Sequence, residues 1–271
     1  MKNPSKLAQE FMEKGRIESF SVIDAHTHMG AYYGFSIFRP DAKDMIKSMD
    51  KYGIEFAISA PHSCLFDPLS NNAEIKQAMK EYPERILGYF SVNPHVPVTE
   101  HEIDQAFKEN PGFVGIKLLP DYHKARLDSK AYRVALKYAN HHGLPVLSHT
   151  WDDSDYNGQS YSTVGMIEKV LEEYPGVHFL MGHSVQGKVD EAIQLAISYP
   201  NAYLELTDTY RFNGVIERMC RGAGSEKVIY GTDLPWFDQS YGMGCVLFAY
   251  INDEEKTNIL RNNILRIIGR Q

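Results

Sequence analysis

Short apolar runs rich in Val, Ile, Leu, Phe and Tyr alternate along the chain with stretches in which apolar residues return every three or four positions. The short runs read SVIDAHTH (21–28), IEFAISAP (54–61), ILGYFSVNP (86–94), FVGIKLLP (113–120), LPVLSHT (144–150), VHFLMGHS (177–184), AYLELTD (202–208) and VIYGTDLP (228–235). Runs of this length and composition, bounded by turn residues, predict buried strands. The stretches between them carry helix signals. In STVGMIEKVLEEYPG, Val164, Ile167, Leu171 and Tyr174 share a face, Ser162 is placed to cap, and Pro175-Gly176 stops the helix. SKAYRVALKYANHHG behaves alike, with Tyr132, Leu136 and Ala139 on one face and Gly143 as terminator. Three helices run into Tyr-Pro just before a strand, at Tyr82-Pro83, Tyr174-Pro175 and Tyr199-Pro200. Proline has no amide hydrogen to donate and clashes with the preceding turn, so it ends each of them.

Strict alternation of strand and helix implies parallel strands joined by right-handed crossovers. Eight units are the number that closes a (β/α)₈ TIM barrel, while an open doubly wound sheet is the competing architecture. No linker or low-complexity stretch interrupts the pattern, which predicts a single α/β domain over residues 21–271. Residues 1–20 read as a short amphipathic extension, and EEKTNILRNNILRIIG as a closing helix packed on the outside.

In a barrel, chemistry gathers at the C-terminal ends of the strands. His26 and His28, Lys117, His149, His183 and Asp233 all fall there. Period-two alternation puts Asp24, His26 and His28 on one face of the first strand, with Ile23 and Ala25 opposite. It turns Phe113, Gly115 and Lys117 inward, aligns Val177, Phe179, Met181 and His183, and aligns Ile229, Gly231 and Asp233. Strand seven is ambiguous between Glu205 and Asp208. His26, His28, His149 and Asp233 then converge at one mouth, a donor set suited to Zn²⁺, Mn²⁺ or another divalent ion that activates water. His183 is placed to polarise a substrate oxygen or move a proton, and Asp24 to orient a neighbouring histidine.

Composition narrows the partners. With 28 Lys and Arg against 35 Asp and Glu, the net charge of −7 offers no field for a phosphate backbone, so nucleic-acid binding is disfavoured. Cys64, Cys220 and Cys245 are too few and scattered for a disulfide framework and suit reduced thiols. No segment has the length of a signal peptide's apolar core or a membrane span, so the expected location is the cytoplasm.

DAHTH, GIKLLP, LSHT, MGHS and YGTDLPW, in this order and spacing, resemble the amidohydrolase superfamily, most closely its amidohydrolase-2 branch of metal-dependent TIM-barrel hydrolases and decarboxylases. The resemblance runs from about residue 21 to the C-terminus. It implies that His26, His28 and His149 ligate metal, and that Asp233 both ligates and accepts a proton from the attacking water. His183 matches a ligand of binuclear members or a catalytic residue of mononuclear ones. Lys117 matches a lysine that is carbamylated in binuclear members and a plain amine in many of this branch, and it leans the reading toward hydrolysis.

The loops after the strands are aromatic. Tyr32, Phe35, Trp151 and Trp236 predict an apolar wall for a small cyclic or unsaturated substrate, with His62 and the thiol of Cys64 nearby. Arg39 or Arg211 is placed to grip a substrate carboxylate. The expected activity is a metal-dependent hydrolase whose metal-bound hydroxide opens an ester, lactone or amide. A decarboxylase of unsaturated acids is the alternative, and a noncatalytic metabolite-binding barrel, whose ligand set has no reason to persist, the second. The expected partners are a small-molecule substrate and, as in many such barrels, a second copy of the chain.

Overall fold

The computed structural model describes residues 5–38, 40–65 and 72–270. Eight parallel strands follow one another around a nearly closed barrel in sequence order. They are β1 (Val22–Met29), β2 (Ile54–Pro61), β3 (Ile86–Ser91), β4 (Phe113–Leu118), β5 (Pro145–Trp151), β6 (His178–Gln186), β7 (Ala202–Glu205) and β8 (Val228–Ile229). Each lies within or beside the run that predicts it.

Helices wrap the outside: α1 (Lys6–Lys14), α2 (Ala42–Tyr52), α3 (Ala73–Glu81), α4 (Glu100–Glu109), the short α5 (Pro120–His123), α6 (Arg133–His142), α7 (Val164–Glu173), α8 (Val189–Ser198), α9 (Val215–Ala223) and α10 (Gln239–Phe248). Tyr82, Tyr174 and Tyr199 are the C-caps of α3, α7 and α8, and Gly143 ends α6 with φ +63°. Thr163 rather than Ser162 caps α7, accepting from the Met166 amide. Ser162 is instead spent on Trp151 and Asp121. Among the described residues, no helix is long and apolar enough to cross a membrane.

The C-terminal segment departs from expectation. A helical run through α11 (Asp253–Thr257), a π turn (Asn258–Asn262) and α12 (Asn263–Ile267) closes the chain. It does not lie on the outside alone: Ile264 and Ile267 pack into the inner core with Ile23, Phe56, Tyr203 and Ile229 and plug the barrel floor. A floor of open strand ends would leave that apolar lumen wet.

The two faces of each strand separate two cores. Met45, Ile75, Leu136, Ile167 and Met219 join the outward faces to the helices, while Ile58, Leu87, Tyr89, Leu147 and Leu180 fill the lumen. Simple alternation fails in three strands. In β1, a bulge between Asp24 and Thr27 lets Ala25 and His26 both face inward, so Ile23 and Ala25 enter the lumen and Asp24 points out to Thr232 and Gln239. In β4, a shift opposite Gly88 and Tyr89 puts Phe113 in the outer core against Phe90 and Phe107 and sends Lys117 inward. In β6, Phe179 and Met181 face the helices. His183 reaches the lumen because His183, Ser184 and Val185 adopt positive φ (64°, 47° and 53°). A bulge's extra residue rotates every side chain beyond it.

The seam between β8 and β1 is not a regular ladder. It is held by Ala25 N–H to Tyr230 O (3.1 Å), Thr232 N–H and Asp233 N–H to His26 O (3.1 and 2.8 Å) and His28 N–H to Leu234 O (2.6 Å).

Candidate metal centre

The seam brings His26, His28 and Asp233 together at the mouth. Asp233 Oδ1 lies 3.1 Å from His26 Nε2 and 3.2 Å from His28 Nε2. The partners of the far ring nitrogens fix the tautomers. His28 Nδ1 faces the Ala60 carbonyl at 2.9 Å, and His26 Nδ1 faces Glu205 Oε2 at 2.9 Å. Both acceptors demand an Nδ1–H, so both Nε2 atoms present lone pairs inward. Asp233 Oδ1 is buried and takes no hydrogen bond. Three lone-pair donors thus converge, with the Lys117 amine against one of them, an arrangement that a divalent cation satisfies and that these residues fit.

Glu205 stands behind the centre, fully buried. Oε2 accepts from His26 and from the His183 amide (3.1 Å), and Oε1 from the amide and hydroxyl of Thr207 (2.8 and 2.6 Å). Burial raises its carboxyl, but His26 and the other donors outweigh that and hold it below the usual range. Gly231 is required here, because a Cβ would collide with Glu205 and with His26 Cβ (2.5 Å). The structure thus resolves strand seven: Leu204 and Leu206 face the helices and Glu205 points inward. Asp208, with φ +61°, also reaches the chamber. The only sequence signal for Glu205 is its place between two apolar residues.

Burial also acts on the other groups. It lowers His26 to about 4, with Lys117 adding to the effect. Burial would raise Asp233, but the facing imidazoles of His26, His28 and His183 more than offset it and hold the carboxyl well below its usual value. Lys117, whose Nζ donates to His26 Nε2 at 2.6 Å, is lowered to about 8 by burial, with Asp233 and Glu205 opposing. Asp24 is raised to about 7 by burial, and it touches the His26 amide rather than a ring.

His149 lies in the same chamber, but its ring nitrogens do not join the convergence point. Its Nδ1 is 3.0 Å from His183 Nε2, and its Nε2 is 4.0 Å from Asp121 Oδ2. The His183 Nδ1–H is directed at the Thr207 carbonyl (3.2 Å), which leaves Nε2 to share a proton with His149.

The chamber has a volume of about 230 Å³, and its walls include His62, Tyr122, Trp151 and Trp236. Trp236 Nε1–H donates to His62 Nε2 (2.7 Å), and His62 Nδ1–H to the Gly30 carbonyl (2.9 Å). Tyr32 packs on Trp236 at 4.7 Å and on His62 at 5.6 Å, outside the chamber's own lining. Arg211 does not reach the chamber either, its guanidinium being held by Asp208 at 3.2 Å. Arg39 lies outside the described residues.

Beneath the wall, His123 sits between Tyr132 Oη (3.2 Å) and the Cys64 carbonyl (3.1 Å). Burial lowers both His62 and His123 from 6.5 to about 4. As pH falls through 6.5 the unfolded chain binds protons that the folded chain refuses until about 4, so stability is lost across that window. His123→Gln is expected to flatten this loss by about one proton in urea unfolding at stepped pH. An unchanged slope would refute the assignment.

The sequence model of the amidohydrolase family, in its amidohydrolase-2 form, matches residues 23–270. The chain belongs to the amidohydrolase family. No curated protein sequence matches this amidohydrolase. Among solved structures it is similar to 2,6-dihydroxybenzoate decarboxylase from Rhizobium (14% identity, TM-score 0.71, covering 92% of this chain and 98% of the other). It is also similar to an uncharacterised TIM-barrel protein from Bordetella bronchiseptica (19%, TM-score 0.73, 93% and 100%). A third is 5-carboxyvanillate decarboxylase from Novosphingobium aromaticivorans with bound manganese (14%, TM-score 0.72, 92% and 97%). At these identities the likeness is one of fold.

Proposed function

We propose that this amidohydrolase is a metal-dependent hydrolase acting on an uncharged ester, lactone or amide of a small ring-bearing compound. The observation that carries the reading is the charge of the chamber. Asp208 and Asp233 line it, and no Lys or Arg does among the described residues. Arg211 is neutralised by Asp208. Away from the metal point and the Lys117 amine beside it, the described lining offers no guanidinium or ammonium to anchor a substrate carboxylate, and Asp208 adds a negative charge, so a neutral carbonyl compound fits it better.

A divalent ion held by His26, His28 and Asp233 would supply Lewis acidity, bringing the pKa of water toward neutrality and polarising the carbonyl. The histidine and carboxylate donors suit Zn²⁺, and the manganese bound in 5-carboxyvanillate decarboxylase keeps Mn²⁺ as the alternative. With Oδ1 given to the ion, the ionised Asp233 keeps its second carboxylate oxygen to accept the proton from water. His183 Nε2 and His149 Nδ1 share a proton that can pass to the leaving group. Trp151 and Trp236 hold the ring and exclude solvent.

The aromatic walls favour a second reading, decarboxylation of an aromatic acid, the activity named for two of the similar structures. Reaction in ¹⁸O-labelled water separates the two. Hydrolysis places one label in the product acid and releases no gas. Unlabelled product with one CO₂ per turnover would replace the hydrolase reading with the lyase.

A further inference from the structure

The chamber alone, about 230 Å³, falls short of the ~300–1,000 Å³ usual for small-molecule sites. Beside it opens a cleft of about 400 Å³, and Tyr122, His149 and Trp151 line both hollows. His149 forms the shared wall, with Trp151 stacked parallel to it at 5.6 Å and Tyr122 meeting its edge at 5.0 Å. The two hollows differ in chemistry. The chamber is mainly aromatic, whereas the cleft adds the acceptors Asp121, Asp153 and Asp155. Asp155 is fixed by the amides of Asn157 and Gln159 and by the Tyr161 hydroxyl. Among the described residues, Lys124 is the cleft's one cationic side chain, with its ammonium 5.1 Å above the Tyr161 ring.

The geometry points to a two-part substrate: its ring and reacting group occupy the chamber, and a hydrogen-bond-donating arm, an amine or hydroxyl chain, passes Tyr122 and Trp151 into the cleft. This rests on the chamber being the reaction site, and it extends the substrate class rather than the chemistry. Three carboxylates against one ammonium repel an anionic arm and attract a cationic one. The face of Trp151 adds cation–π attraction for an ammonium.

The chain has two tryptophans, and both line the chamber, so intrinsic fluorescence reports binding without turnover. Titrating the purified protein with benzamide, its para-aminopropyl derivative and its para-carboxyethyl derivative tests the arm directly. The aminopropyl compound is expected to bind about tenfold more tightly than benzamide, and the carboxyethyl compound more weakly. Asp153→Lys should reverse that order, and Ser154→Tyr, which fills the cleft, should abolish the gain, while benzamide binding is unchanged in both. Equal affinities, an aminopropyl compound that does not bind, or a gain that survives both substitutions would each overturn the proposal. The assay involves no turnover, so its failure leaves the hydrolase reading standing, and a failure of hydrolysis leaves a measured arm preference intact.

Discussion

Asp233→Asn is expected to lower turnover by at least ~10³-fold, the scale of a lost general base, while the folded structure persists. The asparagine keeps the size and backbone of the site, including the Asp233 amide bond to the His26 carbonyl that pins the seam. What it removes is charge. Asp233 Oδ1 takes no hydrogen bond, so no bonded partner loses its acceptor, but the depressed carboxyl contributes stability at neutral pH, so the melting temperature should fall modestly with the protein still folded. The convergence point is left with two imidazole lone pairs and a neutral amide, so elemental analysis should also find less bound metal. Near-normal turnover, or turnover lost together with the far-ultraviolet circular dichroism, would remove Asp233 from the role given to it.

Glu205 should produce the larger effect on stability. Glu205→Ala strands the N–H of His26, the amide of His183 and both donors of Thr207 in a dry interior. Removing one partner of such a buried charged network costs about 3–5 kcal/mol. Glu205→Gln separates packing from orientation. An amide NH₂ opposite His26 Nδ1 drives the ring to its other tautomer, which aims a proton at the convergence point. Metal affinity should fall by about 10- to 100-fold, the usual effect of losing a carboxylate behind a ligating histidine. Metal titration followed by denaturant unfolding reads both quantities. A glutamine variant with unaltered metal affinity would show that Glu205 supports the fold and does not orient the ligand.

Much of this arrangement is legible in the sequence because the repeating unit is regular. Each strand lies where an apolar run is bounded by turn residues, and the polar side chains at the run ends mark the mouth. What alternation misses is where the strands cease to be regular. The bulge after Asp24 sends that residue out of the lumen, and the left-handed residues at His183, Asp208 and Asp233 turn side chains by amounts that no period-two count contains. These irregularities cluster at the mouth, where strands leave the ladder to shape a site. Glu205 is hidden for another reason. Its role depends on facing His26 and His183 across the lumen, a relation between distant strands that local pattern does not encode. The floor helix is misread for the same reason, since amphipathicity gives a face to bury but not the surface that receives it.

The irregular join between the first and last strands has a consequence for how the protein comes to exist. His26 and His28 are made with the first strand and Asp233 only after the eighth, so the ion's binding point is absent until the whole barrel has been synthesised. The same backbone bonds that shut the barrel also assemble the donors. A bound ion would therefore clasp the first strand to the last, which would make it a fastener as well as a reagent.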